Sequence, residues 1–100
     1  MVKITALIRP HQLDAVKTAI ADVGIGGMQV NDVRGSGNGP DRSSLLAGRV
    51  SAFPMRSKIT VVVPDELRQA VVDAILAHAR TGQPGDGKIF IEPMADAVRI

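Results

Sequence analysis

The feature that most limits what this 100-residue chain can become is a unit that occurs twice: an apolar strand pattern, a proline, then an amphipathic helix pattern. In the first copy Val2, Ile4, Ala6 and Ile8 recur at period two with Leu7 added, Pro10 ends the run, and Leu13, Val16, Ala19, Ile20 and Val23 follow at helical spacing. Gly24 stands just past them, where a helix takes a left-handed stop. In the second copy residues 56–63, RSKITVVV, read as a strand. Pro64, Asp65 and Glu66 then open a helix whose free N–H groups suit acids. Leu67, Ala70, Val71, Ala74, Ile75 and His78 line its inner stripe. A strand through Met28, Val30 and Val33 closes the first unit, and KIFIE at 88–92 closes the second. The order is βαββαβ. Right-handed crossovers turn it into an α+β, ferredoxin-like layer: an antiparallel four-stranded sheet with two helices on one face. Strands two and three read as apolar on more than one side and the chain has no third layer, so the free face is expected to be buried against other copies.

One hundred residues make a single domain, 1–100. Residues 35–54 break the pattern with four Gly, two Pro and four Ser. Loops of this length in compact domains serve as lids or binding arms, so a flexible, functional loop is expected over about residues 35–55, between strands two and three. With 45% apolar and 22% charged residues the composition is that of an ordinary globular protein. No apolar run approaches a membrane span and no signal-peptide pattern opens the sequence, so direct membrane insertion is not expected. The absence of Cys excludes disulfides, thiolate metal sites and a Cys nucleophile, and agrees with a reducing, cytoplasmic setting. A net charge of +2 and only Phe53 and Phe90 as aromatics leave nothing for a nucleic-acid surface built on stacked bases.

Gly82, Gly87 and Lys88 in TGQPGDGKI match most of the nucleotidase phosphate-loop pattern. The order of elements is wrong for it. That loop needs a strand before and a helix after, with a Ser or Thr on magnesium, whereas here a helix precedes, a strand follows, and Ile89 has no hydroxyl. A different anion grip remains, because Gly85 and Gly87 let backbone N–H groups converge while Lys88 adds a point charge. The plainer alternative is a solvated Gly-rich turn. Asp65 and Glu66 are neighbours on a helix start and do not face each other, and His11 and His78 stand in no catalytic or metal spacing. No catalytic or metal-ligating residue is assigned, and no enzyme activity is expected.

The run ARTGQPGDGKIFI at 79–91 resembles the signature of the PII nitrogen-regulatory signal-transduction proteins. IRPHQLDAVKTAIADVGIGGMQV at 8–30, VVPDEL at 62–67 and AVRI at 97–100 are similar to the same family. The likeness spans almost the whole chain outside the long loop. It implies a homotrimer with clefts between neighbouring subunits, each holding ATP or ADP. By matched position Gly85, Asp86, Gly87 and Lys88 would bind phosphates from one side, with Arg99 from the C-terminal end. Gly35 and Gly37, with Ser36 in place of the family's Phe, would approach the nucleotide by backbone, and Ile8 and Val62 would line the adenine pocket. The long loop would engage a target, a membrane transporter or a metabolic enzyme, in nitrogen-related metabolism.

Departures concentrate in that loop. It is shortened, and Gly39 stands where 2-oxoglutarate-sensing members carry a Gln that helps to hold magnesium. Magnesium and 2-oxoglutarate therefore stay open. Arg56 replaces a Lys after the loop, Gln83 and Pro84 replace Lys-Ile ahead of the GDGK run, and the sequence stops at Ile100, before the second Arg of the family's ending. With no Tyr in the chain, nucleotidylation on tyrosine is excluded. The alternative reading is a divergent paralogue that senses another small molecule, bicarbonate or one linked to metal transport, with nucleotide secondary.

Overall fold

The computed structural model describes residues 1–34 and 55–100. Among the described residues four strands and two α-helices follow in the expected order: β1 (Val2–Ile8), α1 (Leu13–Asp22), β2 (Gln29–Arg34), β3 (Met55–Val63), α2 (Arg68–Ala79) and β4 (Gly87–Pro93). The sheet runs β2-β3-β1-β4, and every neighbouring pair is antiparallel. This is the ferredoxin-like arrangement. The two copies of the repeated unit place β1 and β3 side by side at the centre, in the register Val2↔Val63 to Ile8↔Ser57.

Each proline works in the same way. Pro10 begins a 3₁₀ turn, Pro10–Gln12, that leads into α1, and Pro64 caps a second, Asp65–Leu67, that leads into α2. The α-helix of the second unit thus begins at Arg68, after the acids that were expected to open it. Past α1, Gly24 adopts φ +104, the left-handed stop expected there. The N-terminal ammonium meets Asp65 at 3.0 Å, and the Met94 amide donates to the Met1 carbonyl at 3.0 Å, so Met1 and the residue just past β4 are tied together at one end of the sheet.

The core lies between the helices and one sheet face. Ile4, Ala6, Ile8, Ile59, Val61 and Val63 meet Val16 and Ile20 of α1 and Val71, Ile75 and Ala79 of α2. Burying each of these Val and Ile side chains contributes on the order of 1.5–3 kcal/mol. The stripe expected on α2 is rotated from its predicted setting. Ala70 and His78 are exposed and Ala79 is buried, because a twelve-residue helix held at Val71 and Ile75 repeats its inner face four residues on.

The free face also needs correcting. Side chains alternate across a strand, so β3 sends Ser57, Ile59, Val61 and Val63 to the helices and Arg56, Lys58, Thr60 and Val62 to the other side. That face is mixed rather than broadly apolar: Phe90, 46% exposed, and Val62, 40% exposed, share it with Lys3, Lys58, Lys88 and Glu92.

Candidate functional site

After α2 the backbone turns extended at Arg80, and a loop returns the chain to the sheet as β4. The carboxylate of Asp86 organises this loop. Its Oδ2 accepts the backbone N–H groups of Thr81 at 2.7 Å and Gly82 at 2.9 Å, and its Oδ1 accepts the Thr81 hydroxyl and Nη1 of Arg9. Thr81 Oγ1 in turn accepts the Gln83 amide at 3.2 Å. The Thr81 hydroxyl, set against the desolvation that opposes it and aided by the backbone amides and Arg9, holds the Asp86 carboxyl down to about 2. Arginines brace the bend from two strands. Arg9, at the end of β1, donates through Nη2 to Pro84 O at 2.9 Å, and Arg56, near the start of β3, donates through Nη2 to Gly85 O at 3.3 Å.

Gly87 is where the bend enters the sheet. It pairs with Ile8 at φ +129, and a Cβ there would lie 1.8 Å from the Leu7 carbonyl oxygen. Only glycine passes. Lys88 is the next side chain, exposed on the free face opposite Leu7 and without a hydrogen-bond or ion-pair partner among the described residues. Lys58 stands in the same row across Leu7, with Arg56 one alternation further along β3. Positive charge therefore gathers at the end of the free face that adjoins the bend, an arrangement suited to holding an anion. On the helix side of β4 a groove of about 410 Å³ runs beside the bend, lined by Val72, Leu76, Ile89 and Ile91 with Arg80 and Asp86 at its margin.

Of the remaining residues expected at the site, neither the Ile8 side chain nor Val62 reaches the bend within one chain. Ile8 pairs with Gly87, but its side chain points into the core and is 2% exposed, while its neighbour Leu7 faces Lys88's side of the sheet. Val62 sits opposite Lys3, in the row that contains Glu92, at the far end of the strands. Arg99 is exposed in the segment after β4, which leaves the sheet beside Met1. A seven-residue strand separates that end from the bend by roughly 20 Å. Gly35, Ser36, Gly37 and Gly39 lie outside the described residues. Arg9 and Thr81, which lie inside the family-like runs with no site role assigned there, help Asp86 and Arg56 to hold the bend. The sequence signal for Arg9 was its place between the last strand residue and Pro10. Among the described residues no three His, Cys, Asp or Glu side chains converge.

Comparison with known proteins gives the family of the chain. The family described as "Nitrogen regulatory protein P-II" matches residues 1–100. The chain belongs to the P-II family. It is 45% identical over 102 aligned positions to the nitrogen regulatory protein P-II of Microchaete diplosiphon, with all of this chain and 91% of that protein covered. Nitrogen regulatory protein P-II 1 of Escherichia coli (strain K12) is 43% identical, and the P-II protein of Haemophilus influenzae is 42% identical, each with the same coverage. This P-II chain is thus a member of a nitrogen regulatory, signal-transduction family. Among its described residues no helix is long and apolar enough to cross a membrane.

Proposed function

We propose that this P-II chain binds ATP and ADP in clefts between copies of itself, as a homotrimer, and uses the segment between β2 and β3 to regulate a partner protein, a transporter or a metabolic enzyme, in the cytoplasm. The observation that carries the reading is the bend at Gly85–Lys88. It is braced by Arg9, Thr81, Asp86 and Arg56 through contacts within the chain itself, with Lys88 beside it and without a partner among the described residues. Pre-organisation of this kind lowers the ordering cost of binding. Val62 lies at the opposite end of the same sheet, and the segment that carries Arg99 leaves from there, so in this reading a cleft that joins them to the bend draws on a neighbouring copy. The ligand is gripped and released: the site offers cations and backbone groups for a polyphosphate, and no residue is assigned to activate water. The substitution of Gly39 and the shortened loop favour a second reading, in which another small molecule is the principal effector and nucleotide is secondary.

Calorimetry with ATP, ADP and AMP on the full chain tests the first reading, and binding no tighter than millimolar to any of them rejects it. Lys88→Ala and Arg99→Ala are each expected to weaken ATP binding at least about tenfold, a loss of about 1.4 kcal/mol. Co-expressed in equal amounts, the two variants restore about a quarter of the clefts if each cleft takes its lysine and its arginine from different chains of a ring. No restoration in the mixture would place the two residues of each site in one chain.

A further inference from the structure

We infer that Arg9 is a positioning residue for the anion grip: its guanidinium, seated on the central strand, sets the shape of the glycine bend that presents Lys88 and the backbone N–H groups to phosphate. The inference rests on the nucleotide reading above and assigns a role to a side chain that itself makes no contact with the ligand.

Rigid elements aim Arg9. It is the residue between β1 and Pro10, held extended at φ −64 and ψ 138, as a residue before proline must be. From there its planar fork spans the loop. Nη1 reaches Asp86 Oδ1 and Thr81 Oγ1, and Nη2 reaches Pro84 O, so one side chain fixes points on both sides of Gly85. A lysine keeps the charge but cannot reproduce a two-pronged planar contact. Asp86 faces inward, with every bond it makes directed to Arg9 or to the loop's own Thr81 and Gly82. Its negative charge is thereby matched inside the loop rather than opposed to an incoming phosphate.

Charge-based and shape-based roles separate by sign. Arg9→Lys leaves the net charge of the site unchanged, and Asp86→Asn makes it more positive, so simple attraction predicts equal and tighter ATP binding respectively. Positioning predicts that both variants bind ATP more weakly, by about tenfold or more, while competition with adenosine, which has no phosphate, keeps its wild-type affinity. Calorimetry is run below each variant's melting temperature. If either variant does not fold, Thr81→Val, which removes the hydroxyl between Arg9 and Asp86, takes its place with the same expectation. Wild-type ATP affinity in Arg9→Lys, tighter binding in Asp86→Asn, or an equal loss for adenosine overturns the inference while the nucleotide reading stands. Failure of the wild-type chain to bind ATP removes both.

Discussion

Replacing Gly87 by alanine tests the geometry of the bend most directly. The added Cβ would lie 1.8 Å from the Leu7 oxygen, 2.9 Å from the Leu7 carbonyl carbon and 3.3 Å from the Ile8 Cα. All three atoms are backbone of β1, a central strand paired to β3 on one side and β4 on the other, so they cannot retreat without disturbing both ladders. The left-handed φ of +129 adds strain for any L side chain, of about 1–3 kcal/mol. Lifting the start of β4 away from Ile8 gives up one or two ladder hydrogen bonds at about 0.5–1.5 kcal/mol each. The sum is a loss of about 1.5–6 kcal/mol. In a domain of this size that lowers Tm by at least about 6 °C. Thermal melting by circular dichroism at fixed protein concentration reads the global cost, and calorimetry with ATP reads a bend that escapes the clash by moving. Gly27→Ala is the control, since its Cβ would meet nothing within 4 Å and its φ is not left-handed. A Gly87→Ala chain that melts within about 2 °C of wild type and binds ATP equally well would refute the close approach of the bend to Leu7.

Asp86 gives a pH signature. Its folded-state pKa is lowered from the ordinary 3.8 to about 2, chiefly by the Thr81 hydroxyl, so it stabilises the fold above the ordinary carboxylate range. That contribution is lost as pH falls from about 4 towards 2, and a profile of Tm against pH should be flatter over this window in Asp86→Asn than in wild type. On α2, Ile75→Ala empties a site that is 1% exposed; denaturant unfolding should show a loss of about 2–5 kcal/mol. His78→Ala, on the exposed side of the same helix, should stay within about 0.5 kcal/mol of wild type.

What the amino-acid order determined unaided was local and periodic. Alternation in VKITALI and RSKITVVV, helical spacing from Leu13 to Val23, a proline ahead of each helix and Gly24 behind the first are short-range instructions, and the βαββαβ order follows from them. The motif around Gly85–Lys88 was equally legible, because a glycine-rich turn beside a lysine is a contiguous string. Tertiary structure decided the rest. The exact face of α2 depended on which residues meet β1 and α1, so Ala79 rather than His78 completes its stripe. The character of the free sheet face depended on strand register, which sends Arg56, Lys58 and Thr60 outward together. The bracing of the bend joins Arg9 to Asp86 across 77 positions of sequence and Arg56 to Gly85 across 29. No local pattern encodes such pairings, since they arise only when β1, β3 and β4 align and bring the end of one strand beside the beginning of another. The same alignment holds Lys88 and Val62 near opposite ends of the sheet. The length of the strands, set by hydrogen-bonded pairing rather than by motif, thus separates Val62 from the bend within one chain, a distance that no short run of sequence records.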